Sequence, residues 1–137
     1  MTISETAMAF FDACETGKGW DTCKAYCQER ATFTCQADAL ADISTIEGYS
    51  GWTAGILTPI PDGHYNLTSF STDHERNIVT ATAVFHGHQT GDGGPVPPTG
   101  NEVATDYVYI MEFEGEKIAR MTKIWNDGHA LKQLGWA

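Results

Sequence analysis

Apolar residues recur at helical spacing from the start of the chain: Ile3, Ala7, Phe10 and Cys14 share one face, with Ser4 placed to cap the helix and Gly17 to stop it. Gly17-Lys18-Gly19 then turns the chain. Residues 20–28 predict a short second helix, Trp20 through Tyr26, before the segment 31–35 (ATFTC) changes to strand chemistry. Ile46, Tyr49, Trp52 and Ile56 return to helical spacing behind Ser44, although Gly48, Gly51 and Gly55 weaken that helix, and Pro59 and Pro61 end it.

From Tyr65 the period becomes two, and strands are predicted at about 65–73, 77–89, 102–113 and 117–126. Residues 74–77 and 114–116 are short polar connections, so the first two and the last two of these strands are expected to form antiparallel hairpins. Between them, residues 90–101 hold four glycines and three prolines, which cannot continue either strand and predict a stiff rim loop. His129 to Leu134 predicts one last helical turn before Trp136. The pattern is α+β, helices first and a curved antiparallel sheet after, in a single domain spanning 1–137.

Charge narrows the partners. The 137 residues carry 18 acidic and 8 basic side chains, a formal net charge of −10, which excludes an electrostatic nucleic-acid binder. With 42% hydrophobic and 19% charged residues the chain is too apolar for disorder, and no apolar run reaches the ~18 residues of a membrane span. The opening MTISE lacks a basic region ahead of an apolar stretch, so a cytoplasmic location is expected. Cys14, Cys23, Cys27 and Cys35 form no CxxC pair and have no histidine near them in sequence, so they read as reduced core residues, with neither metal nor cofactor expected. His86 and His88 lie one residue apart on a predicted strand whose other face is Val79, Ala81, Ala83 and Phe85, which sends both histidines outward unless a bulge at Gly87 reverses them.

The element order, the loop 91–100 (GDGGPVPPTG) and the ending 117–127 (KIARMTKIWND) with 131–135 (LKQLG) together resemble the SnoaL-like polyketide cyclases. That resemblance implies the nuclear transport factor 2-like fold, in which a curved antiparallel sheet wraps N-terminal helices into a cone whose mouth takes a small apolar ligand. It does not by itself assign a function. Family cyclases resemble one another in an aspartate on the last strand, and alignment on Lys117-Ile118 and Trp125 places Lys123 at that position and Tyr109 at that of a partner histidine. Similarity to ketosteroid isomerases aligns Phe10, Cys35 and Tyr109 with their tyrosine, aspartate base and acid, so neither known residue set is reproduced.

By the resemblance, the cone is lined by Met121, Lys123 and Trp125 of the last strand and by Tyr107, Tyr109 and Met111 of the strand before it, with Phe10, Cys35 and Trp52 completing an apolar pocket. Such walls suit a flat, oxygenated, hydrophobic or aromatic small molecule. A lysine there loses hydration, which lowers its pKa and suits it to act as a general base or as an amine that forms a Schiff base; alternatively it pairs with Asp127 and closes the pocket. The reaction expected of an enzyme with these residues is proton transfer next to a carbonyl, in a cyclisation or isomerisation, with Lys123 or Asp127 as base and Tyr109 as donor to the enolate. The alternative is a non-catalytic binding protein of the same fold. Val108 and Ile110 on the outer sheet face call for cover, so a homodimer is expected.

Overall fold

Helix α1, Ile3–Glu15, starts one residue before the expected cap. Thr2 Oγ1 accepts the Glu5 N–H at 3.1 Å while Glu5 Oε1 accepts the Thr2 N–H at 3.0 Å, a reciprocal capping box. Ser4 instead shares a 2.6 Å hydrogen bond with Thr72. The computed structural model describes residues 1–137. The predicted second helix is shorter than expected: one α turn, α2 (Trp20–Cys23), passes into a 3-10 turn at Lys24–Tyr26, and strand β1 begins at Cys27 and runs to Cys35. Helix α3, Ile46–Ile56, is capped by Thr45, whose hydroxyl accepts the Gly48 N–H at 3.0 Å, in place of Ser44.

Strands β2 (His64–Asp73), β3 (Ile78–His88), β4 (Glu102–Glu114) and β5 (Lys117–Trp125) follow the period-two runs to within about a residue at most ends. They form one five-stranded sheet in the order β1-β5-β4-β3-β2. The sheet is mixed: β2, β3, β4 and β5 pair antiparallel, but β1 runs parallel to β5, with Cys35 opposite Lys123. The helices pack on the concave face, which is the nuclear transport factor 2-like arrangement. The tail forms a full helix α4, Asp127–Leu134, capped by Asn126 and ended by Gly135 in the left-handed conformation at φ 76°. No helix is long and apolar enough to cross a membrane.

The β3–β4 register is unbroken from Ile78 to His88, so no bulge occurs at Gly87. That glycine serves a close approach instead, since a Cβ there would lie 2.4 Å from Ile60 Cγ2 of the turn leading into β2. His86 and His88 consequently stay on the outer face. His86 stacks on His64, the first residue of β2, at 5.4 Å between ring centroids, and Asp106 is exposed on the same side.

The apex of the cone is solid. Phe10, Phe11, Phe33, Met111, Ile118 and Met121 are fully or almost fully buried against one another, in a single apolar cluster that also takes in Cys14, Cys23 and Cys27. All four cysteines are free. A smaller cluster, Ile60, Val103, Ala130 and Leu134, sits at the other end, where α4 covers the sheet.

Candidate functional site

Antiparallel pairing of β4 with β5 sets Tyr109 opposite Lys123, Tyr107 opposite Trp125 and Met111 opposite Met121, all on the concave face. Between this face, α3 and α4 lies a cavity of about 250 Å³, walled mainly by apolar side chains. An empty apolar cavity of roughly 150 Å³ is enough to hold benzene, so this one has the volume for a fused bicyclic ring.

Of the residues expected to line the pocket, Trp52, Tyr107, Lys123 and Trp125 do so. Phe10, Met111 and Met121 do not: they interlock in the apex with no exposed surface, which moves the cavity toward the mouth. Cys35 also lies outside the lining, half-buried beside Lys123 on β1. Wall residues without a counterpart in the sequence reading include Glu15, Tyr49, Ile56, Ile60, Phe85, Val103, Thr105, Leu131, Leu134 and Trp136. Most of them come from the end of α3, the mouth ends of β3 and β4, and α4, which meet only in the folded chain.

Asp127 is at the start of α4 and outside the cavity. Its Oδ2 accepts the Ala39 N–H at 2.9 Å and its Oδ1 accepts the Gly128 N–H at 3.0 Å, so it neither pairs with Lys123 nor faces a ligand. Tyr109 is fully buried behind the wall, and its hydroxyl donates to Glu15. The enolate-donor role expected of Tyr109 therefore has no route to a ligand, because the one phenolic proton is committed to a carboxylate.

Lys123 Nζ is the centre of the site. It donates to Tyr49 Oη at 2.9 Å and sits over four aromatic rings, 4.5 Å from the centroid of Trp125, 5.0 Å from Tyr49 and 5.2 Å from both Trp52 and Tyr107. Ring faces carry the negative lobe of the aromatic quadrupole and favour a cation there. Burial acts the other way and dominates: it pulls the Lys123 pKa below 10.5, opposed by the negative charge of Glu15.

Glu15, like Tyr49, is a site residue that the sequence reading missed. It is 4% exposed at the last turn of α1, and its two carboxylate oxygens accept from Tyr107 and Tyr109. The Tyr49 and Tyr109 hydroxyls are 3.1 Å apart. A hydrogen-bonded chain results that links Lys123, Tyr49, Tyr109 and Glu15. Burial, then nearby negative charge, drives the phenol pKa values of Tyr49 and Tyr107 up, and burial does the same for Tyr109. The phenols thus stay protonated and carry hydrogen bonds rather than charge. A signal for Glu15 did exist: it falls four residues after Phe11 and eight after Ala7, so a carboxylate occupies the buried stripe of α1.

Two further polar groups face this end of the molecule. Thr105 Oγ1 accepts the Trp125 Nε1–H at 3.0 Å, which leaves the threonine its own proton to donate. The rim loop is pinned by Gln89, fully buried, whose Oε1 accepts the Thr99 N–H at 2.6 Å and whose Nε2 donates to the Gly91 carbonyl at 3.2 Å.

Several solved structures share this architecture. A protein from Jannaschia sp. CCS1 assigned as a SnoaL-like polyketide cyclase superposes with a TM-score of 0.79 at 17% identity, over 98% of this chain and 92% of that one. IdmH from Streptomyces antibioticus, assigned as a polyketide cyclase, gives 0.78 at 20% identity over 98% and 99%. A protein of ketosteroid isomerase-like fold from Catenulispora acidiphila DSM 44928, solved with trimethylamine, gives 0.71 at 22% identity over 97% and 94%. No curated protein matches the sequence. The family model for SnoaL-like polyketide cyclases matches residues 5–134, and with that match over nearly its full length the chain belongs to the SnoaL-like polyketide cyclase family.

Proposed function

We propose that the protein is an enzyme that moves a proton next to the carbonyl of a flat, oxygenated, aromatic or hydrophobic small molecule held in the cavity, in a cyclisation or isomerisation. The observation that carries this reading is the placement of the Lys123 amine in an apolar cavity wall, hydrogen-bonded only to a phenol and at no point to a carboxylate. Burial favours its neutral form, the form that accepts a proton from carbon. On accepting it, the ammonium gains the four ring faces and, through Tyr49 and Tyr109, the charge of Glu15. The developing enolate oxygen is assigned to the Thr105 hydroxyl, which has a proton to give in the same wall. Tyr49 and Tyr109 position the amine, and no cofactor takes part.

Proton exchange at carbon tests the reading directly. 2-Tetralone, a bicyclic ketone with exchangeable α-hydrogens, is incubated with protein in deuterated water and followed by NMR. An acid–base role for Lys123 predicts that Lys123→Met slows the catalysed exchange about 100-fold or more. Equal exchange in wild type and variant removes Lys123 from the chemistry. Binding of 2-tetralone with no exchange above buffer supports the alternative, a small-molecule-binding protein of the same fold.

We further propose a homodimer formed through the outer sheet face. Val108 and Ile124 are opposite one another there, and Ile124 is 51% exposed although it is a large apolar side chain at mid-strand. Sedimentation at micromolar concentration is expected to give a species near twice 14.9 kDa, and a species near 14.9 kDa alone overturns the dimer.

A further inference from the structure

The aromatic cage around Lys123 has a second chemical consequence, which rests on reading the cavity as a site for carbonyl compounds. We infer that Lys123 captures aldehydes and unhindered aromatic ketones covalently, as an imine through Nζ. Three observations bear on this. The amine lies in the wall of an apolar cavity large enough for a bicyclic ligand. Its only hydrogen-bond partner, Tyr49 Oη at 2.9 Å, is a phenol that is itself linked onward to Glu15. Finally, Trp125, Tyr49, Trp52 and Tyr107 surround the nitrogen at 4.5 to 5.2 Å, on several sides at once.

Each feature answers a requirement of imine formation. The attacking amine must be neutral, and burial disfavours the ammonium. The nitrogen lone pair forms the N–C bond while the carbonyl π pair moves to oxygen, and a proton passes from nitrogen to that oxygen to give the carbinolamine. The nitrogen lone pair then forms the second C–N bond as the C–O bond breaks; Tyr49 Oη takes up the N–H proton while its own proton passes to the leaving oxygen, and one water leaves. Amine plus carbonyl gives imine plus water, with no change of oxidation state and no other reactant. The protonated imine keeps a cation at the position the four rings surround, so the contacts that favour an ammonium there favour the iminium as well. Lys18, Lys24, Lys117 and Lys132 are exposed and have no such surroundings, so capture is confined to one lysine of five.

The experiment uses 2-naphthaldehyde with sodium cyanoborohydride at pH 7 and, as an unreactive partner of the same shape, 2-naphthalenemethanol. The expected result is a stoichiometric adduct whose mass is that of the aldehyde less one oxygen, mapped by peptide mass spectrometry to Lys123, and absent from Lys123→Met. Reading the site in the wild-type protein keeps the test independent of how well the variant folds. If the alcohol quenches tryptophan fluorescence and raises the Tm but the aldehyde leaves Lys123 unmodified, covalent capture is overturned and the pocket reading stands. If neither compound binds and no adduct forms, the pocket reading falls, and the inference with it. An adduct spread evenly over the exposed lysines also overturns the inference.

Discussion

The amine of Lys123 and the carboxylate of Glu15 are joined, without touching, through two phenols: Nζ donates to Tyr49 at 2.9 Å, and Tyr49 lies 3.1 Å from Tyr109, which donates to Glu15. Direct pairing of two buried charges fixes both in their ionised forms, whereas separation by neutral donors leaves the lysine free to change state. That separation is what makes the site suited to proton transfer rather than to a structural ion pair.

Removing the Tyr49 hydroxyl breaks the chain at its first link. Tyr49→Phe is expected to cost about 1–3 kcal/mol of stability, because the buried Lys123 head loses its one hydrogen-bond partner. Glu15→Gln removes the charge that opposes the burial effect on Lys123. Both variants are expected to move the Lys123 titration further down, read by NMR of side-chain-labelled lysine with Lys123→Met as the assignment control. An unmoved or upward titration in both would contradict the relay.

Stability should respond to alkaline pH in two opposite directions. Lys123 has a folded pKa below 10.5, so between that lowered value and 10.5 the unfolded chain binds more protons and stability rises with pH. Tyr49 and Tyr109 have folded pKa values well above 10.0, so above about 10 the unfolded chain loses protons the folded chain keeps, and stability falls. Urea denaturation from pH 6 to 11 is expected to show the rising limb lost in Lys123→Met and the falling limb reduced in Tyr109→Phe.

On the outer face, His88 Nδ1 lies 2.7 Å from Asp62 Oδ2 and its Nε2 lies 3.3 Å from Glu102 Oε2. The hydrogen bond with Asp62, helped by both carboxylate charges, raises the His88 pKa above 6.5. The stabilisation is fully present below 6.5 and is lost as pH rises through the folded value. Asp62→Asn is expected to bring the His88 titration, followed by NMR, back toward 6.5. An unchanged midpoint would contradict the pairing.

The rim loop depends on a close backbone approach. A Cβ at Gly91 would fall 2.2 Å from the Thr58 carbonyl oxygen, and the Gly91 N–H donates to the Pro59 carbonyl at 3.0 Å. Gly91→Ala is expected to lift the loop from the end of α3, destabilise the fold by roughly 1–3 kcal/mol and speed hydrogen exchange at Gly91 and Gly100. Wild-type exchange rates in the variant would show that the loop absorbs the methyl group.

Much of this molecule was legible in the sequence, because alternation and helical spacing are properties of neighbouring residues. The period-two runs mark the limits of β2 to β5, and alternation groups Tyr107, Tyr109 and Met111 on one face of β4 and Met121, Lys123 and Trp125 on one face of β5, while the family resemblance is what implies that the two faces line one cone. The family resemblance rested on such local segments as well, and the fold bears it out. Decided only in three dimensions was everything that depends on which distant segments meet. Parallel pairing of β1 with β5 joins residues such as Thr34 and Thr122, 88 positions apart in sequence, and no local pattern encodes it. Thr2 wins the cap from Ser4 because Ser4 finds a partner in Thr72 on β2. The cavity lies at the mouth because Phe10, Met111 and Met121 fill the apex completely, a matter of summed volumes rather than sequence order. Glu15 became a site residue because α1 crosses the sheet where two tyrosine hydroxyls point at it. Its sequence position marked it only as a carboxylate on a buried stripe, and tertiary packing alone supplied the partners that make such a burial tolerable.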